Sequence, residues 1–68
     1  MSIKQIGYKT LQFYLVGELH AGVQAMVAER IMSLPPVKIG GRRVSKRVAI
    51  RHIMEALRRG QVAVITWA

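Results

Sequence analysis

The sequence has no cysteine and no aspartate, and its only acids are three glutamates, Glu18, Glu29 and Glu55. Without cysteine there is no disulfide, the usual staple of a chain this short. The two histidines, His20 and His52, stand apart from each other, and neither has a carboxylate directly beside it in the chain. That excludes a metal-ligand set at recognisable spacing. Three scattered glutamates form no general acid–base pair. Ser45 has no nucleophile context, and Gly40-Gly41 reads as a turn rather than a phosphate-cradling loop. No catalytic residue, cofactor or metal is therefore expected, and the chain does not read as an enzyme. The sequence also lacks long apolar runs. The uncharged C-terminal run Gln61–Ala68 is far below the roughly 20 residues that span a bilayer. No charged–apolar–small leader pattern opens the chain. The expected location is cytoplasmic, with no membrane partner.

What the sequence does have is cations. Eleven Lys and Arg against three acids give a net charge of +8. Seven of those eleven lie between residues 40 and 60: Arg42, Arg43, Lys46, Arg47, Arg51, Arg58 and Arg59. At 51% hydrophobic the chain is too apolar to be disordered by composition. A folded, strongly basic domain points first to nucleic acid, then to an acidic surface. The 68 residues make a single small domain, residues 1–68, with residues 1–7 expected as a flexible arm. So much apolar surface in so short a chain suggests a homodimer.

Local patterns give the elements. YKTLQFYLV alternates as a strand, with Leu11, Phe13 and Leu15 toward the core and Thr10, Gln12 and Tyr14 outward. From Glu18 the period turns helical, through Leu19, Val23, Met26, Val27 and Ile31. Pro35 and Pro36 stop that helix near Leu34. Gly40-Gly41 between VKI and RRV is a two-residue hairpin signal. Ser45 is a plausible N-cap for a second helix with the stripe Ile50, Ile53, Met54 and Leu57. Gly60 ends it, and QVAVITWA reads as a last strand. The expected class is α+β, in the order β-α-β-β-α-β.

KTLQFYLVGELHAGVQAMVAERI followed by RRVSKRVAIRHIMEALRRG resembles the ribbon-helix-helix DNA-binding proteins, over about 45 residues. The resemblance implies a homodimer in which two copies of the first strand pair as a ribbon in the DNA major groove. Thr10, Gln12 and Tyr14 would then contact bases, and Val44, Ser45 and Lys46 would hold a phosphate. Gln pairs well with adenine, and helix N-termini bind phosphates. Lys9, Arg42, Arg43, Arg47 and Arg51 are the further candidate phosphate contacts. The implied function is sequence-specific double-stranded DNA binding by a small transcriptional regulator or repressor. The long connection from Met32 to Arg43 and the closing strand are additions to that fold. The same element order also fits a small ferredoxin-like sandwich. In that case the chain would be a basic inhibitor or adaptor, for instance of a mobile element, that binds an acidic protein partner. Pairing of residues 62–67 with 10–16 of the same chain would favour the sandwich.

Overall fold

The computed structural model describes residues 1–68. Its elements are β1 (Ser2–Gly7), β2 (Thr10–Tyr14), α1 (Ala21–Met32), β3 (Val37–Ile39), β4 (Arg42–Arg43), α2 (Lys46–Arg58) and β5 (Ala63–Trp67). The five strands form one antiparallel sheet in the order β1-β2-β5-β3-β4. The chain's last strand thus lies between β2 and β3, and Leu11 pairs with Ile65 and Phe13 with Ala63. β2 and β3 run parallel with β5 between them, and β4 and β5 run parallel with β3 between them. Each parallel pair is joined through a helix, giving two interleaved split β-α-β units.

Strand alternation decides the layers. Leu11 and Phe13 of β2, Val37 of β3 and Ala63 and Ile65 of β5 are buried on one face of the sheet. Val23, Val27 and Ile31 of α1 close over them, with Ala49, Ile53, Met54, Ala56 and Leu57 of α2. This is one cluster of 13 buried residues with no buried polar side chain. Trp67 packs half-buried at its edge. Both helices cover the same face, so the other face of the sheet has no layer over it. No helix is long and apolar enough to cross a membrane.

The α+β class and the order from β2 onward are as the sequence suggests. Residues 1–7 differ. They form β1, an edge strand paired with β2 from Ser2↔Tyr14 to Gly7↔Thr10, not an arm. Ile3 lies opposite the buried Phe13 and packs on the core, which gives β1 its anchor.

The first helix also starts later than the period implies, at Ala21. His20 is its N-cap, and its Nδ1 accepts from the Gly22 N–H at 3.1 Å. Gly22 makes room for that ring, since a Cβ there would lie 2.9 Å from His20 Cε1. The second helix begins as expected, with Ser45 Oγ accepting from Val48 N–H at 3.1 Å. Gly40 and Gly41 turn the β3–β4 hairpin with φ of +58° and +81°, which suits a tight two-residue loop.

Candidate functional site

The uncovered face of the sheet can be read off the strand register, because cross-strand partners share a face. One row runs Thr10–Thr66–Lys38–Arg43 across β2, β5, β3 and β4. The next runs Lys4–Gln12–Val64 across β1, β2 and β5. A third begins Ser2–Tyr14. Val16 lies just beyond β2 and Val62 just before β5, next to that third end. The face is therefore graded, from basic and polar at the β3–β4 side to apolar near Tyr14. Tyr14, Val16, Val62 and Val64 are all solvent-exposed.

No acid lies on any strand. The five cations of the strands and their turns, Lys4, Lys9, Lys38, Arg42 and Arg43, have no carboxylate among them. Lys38 and Arg43 lie directly opposite one another. Like charges in that position destabilise a strand pair by about 0.2–1 kcal/mol. A bound anion would relieve that repulsion.

At the β1–β2 turn, Lys9 has φ of +52°, uncommon for a side-chain-bearing residue. Its carbonyl accepts from Trp67 N–H at 3.2 Å, which ties the turn to the end of β5. Its ammonium sits 5.2 Å over the Tyr8 ring. Thr10 Oγ1 donates to Tyr8 O at 3.0 Å, so that hydroxyl proton is already used inside the turn. Gln12 and Tyr14 are the stronger candidates for contact with a ligand.

The proposed site residues fall into two groups. Thr10, Gln12, Tyr14 and Arg43 share the open face, with Lys9 at its margin. Arg47 and Arg51 lie across the core, on the outer surface of α2. Arg42 is opposite Ile39, whose side chain turns toward the core, so Arg42 leaves the edge on the helix side. Val44 is half-buried against the core.

Lys46 has a structural assignment of its own. Its ammonium donates to Met32 O at 3.1 Å and also to Leu34 O. Those carbonyls lie at the end of α1 and just beyond it, where helix acceptors run out of partners. Lys46 thus fastens the start of α2 to the end of α1, and its charge is directed inward. Lys38 and Lys4 are two further open-face cations. The signal for Lys38 was present: a two-residue Gly-Gly loop puts residue 38 opposite residue 43.

β2 is hydrogen-bonded to β1 on one edge and to β5 on the other. Pairing with a second β2 would require it to give up one of them. No protein-family model, no curated protein and no solved structure matches the chain.

Proposed function

We propose that the chain binds single-stranded nucleic acid across the open face of its sheet. The observation that carries this reading is the acid-free cationic row in which Lys38 and Arg43 stand side by side. Phosphates supply the missing counter-charge. Gln12 and Tyr14, in the neighbouring rows, offer an amide for base edges and a ring for stacking.

Magnitude favours a single strand over a duplex. Five strands at about 4.8 Å spacing make a sheet about 19 Å wide. The B-DNA major groove is about 12 Å wide and admits a two-stranded ribbon. A face of this width suits a strand laid across it, with its bases unstacked onto the sheet. An open platform also leaves base edges accessible that a duplex would conceal. We retain the homodimer as a separate part of the proposal. The apolar end of the face, at Val16, Val62 and Val64, is where a second copy would bury surface, and sedimentation equilibrium tests it.

The test is fluorescence anisotropy of a labelled single strand and of its duplex against the purified chain, over a range of salt. The single strand should bind in the micromolar range and at least tenfold tighter than the duplex. With three to four phosphates held, log affinity should fall with log salt at a slope of about −2 to −3. A duplex preferred by the same margin would replace this reading with duplex recognition of the ribbon-helix-helix kind. No binding of either at about 50 mM salt would sink both.

A further inference from the structure

A second surface lies across the core from the open sheet face. α1 and α2 pack side by side, and a cleft of about 320 Å³ runs along their outer seam. Gln24 of α1 forms one wall, Ile50 and Met54 of α2 form an apolar floor, and Arg47, Arg51 and Arg58 line the α2 side. Arg58 is neutralised by Glu55, which accepts from its guanidinium at 2.8 Å. Arg47 and Arg51, one turn apart, have no carboxylate partner; the only ion pair in the molecule is the one at Arg58. The cleft therefore joins two free guanidinium groups to an apolar floor. Its volume is at the bottom of the range for small-molecule sites, about 300–1,000 Å³. It is lined mostly by polar side chains beside a narrow strip of Ile50 and Met54, so it suits one or two side chains of a partner better than an enclosed cofactor.

We infer that this seam docks an acidic, amphipathic helical segment of a partner protein. Its carboxylates pair with Arg47 and Arg51, and an apolar side chain sits on Ile50 and Met54. The apolar floor is what favours a peptide over a second stretch of nucleic acid. A phosphate backbone uses the guanidiniums and gains nothing from Ile50 and Met54, whereas an amphipathic helix uses both. Arg47 to Arg58 spans about 16 Å of helix axis, so about three turns of partner helix cover the seam.

The probe is a synthetic helical peptide of about three turns with glutamates on one face and leucines on the other, tested beside a scrambled peptide of identical composition. Binding is followed by anisotropy and by amide shifts of the full chain. The amphipathic peptide should bind at least tenfold tighter than the scrambled one, with shifts centred on Gln24, Arg51 and Met54. Arg47→Glu with Arg51→Glu should lower that affinity at least tenfold and, at about 150 mM salt where charges across the core are screened, leave oligonucleotide binding within about twofold. Gln24→Glu, on the opposite wall and remote from the core, should lower it severalfold in an intact fold. Equal binding of the scrambled peptide would overturn the inference, because charge alone would then account for it. So would shifts confined to the sheet face, or a single strand that perturbs the seam and competes with the peptide there. Loss of nucleic-acid binding by the unmodified chain would leave the seam untouched, so the two proposals fail separately.

Discussion

On the open sheet face, Lys4, Lys38 and Arg43 stand among Gln12, Thr66 and Tyr14 with no carboxylate in reach. On the helical side, Arg47, Arg51 and Arg58 flank apolar Ile50 and Met54, and Glu55 neutralises one of the three. Both surfaces are basic, but their surroundings differ. Cations on a flat polar grid present charge at several points along a path, as a phosphate backbone requires. Cations around an apolar cleft present charge and a place for a hydrocarbon side chain together. Net charge alone, +8, does not separate the two. The neighbours of each cation do, and those follow from sheet register and helix packing.

The sharpest way to break this comparison is to reverse charge on one side at a time. Lys38→Glu with Arg43→Glu should weaken single-strand binding by on the order of 10–100-fold. It should make the salt slope shallower by about 1.4, as expected for two phosphates lost at 0.7 each. Neither residue is in the core, so thermal unfolding should stay close to that of the parent. Anisotropy across a salt series reads the effect. If this double variant and the Arg47→Glu, Arg51→Glu variant weakened the same ligand equally, the division into two surfaces would be wrong.

Tyr14 probes the sheet face without touching its charge. It is 42% exposed and lies beyond Gln12 on β2, in register with Ser2. Stacking of one base on an aromatic ring contributes about 1–3 kcal/mol. Tyr14→Ser should therefore cost about tenfold in affinity with the salt slope unchanged, while Tyr14→Phe should retain binding. A loss in Tyr14→Phe as large as that in Tyr14→Ser would show that the hydroxyl, not the ring, makes the contact.

Much of this geometry was legible in the residues. The Gly-Gly hairpin, the Ser45 cap, the inward Leu11 and Phe13, and the closing strand follow from local rules that the fold obeys. β1 was not legible, because SIKQIG has only two apolar residues and its order comes from hydrogen bonds supplied by β2. The start of α1 was hidden because histidine is not among the favoured N-caps. Its capping role depends on a glycine two residues later that makes room for the ring. The site was half legible. The outward face of β2 follows from strand alternation, but its cationic neighbours come from β3 and β4, and only sheet order shows that β5 lies between. The ribbon-helix-helix resemblance implies a phosphate contact for Lys46, at the start of the second helix. The carbonyls that claim it belong to the end of α1 and the turn after it, at least 12 residues away in sequence.

Lys46 accordingly separates stability from binding. Lys46→Met keeps the stem and removes the donor to Met32 O and Leu34 O. The loss should be about 1–2 kcal/mol, the range for a charge-assisted hydrogen bond partly open to solvent. A domain of this length has about 3–10 kcal/mol in total, so the midpoint of chemical unfolding should move visibly. Single-strand affinity should change less than twofold at temperatures where the variant is folded. Reduced affinity in a fully folded Lys46→Met would return this residue to the ligand surface.

The smallest expected effect falls on the helical side and tests what Glu55 does there. The Glu55–Arg58 pair is exposed, with side chains 49% and 60% accessible, so its removal should change stability by less than about 0.5 kcal/mol. Glu55→Gln also releases the Arg58 guanidinium, which would become a third free cation along the seam. An acidic helical peptide should then bind about two- to fivefold tighter, with more salt dependence than before. The sheet face lies across the core, and its affinity for a single strand should not move beyond what one added net charge does at long range. A rise in single-strand affinity as large as the rise for the peptide would mean that both ligands sense only the overall charge. A rise for the peptide alone means that each surface reads the cations nearest to it.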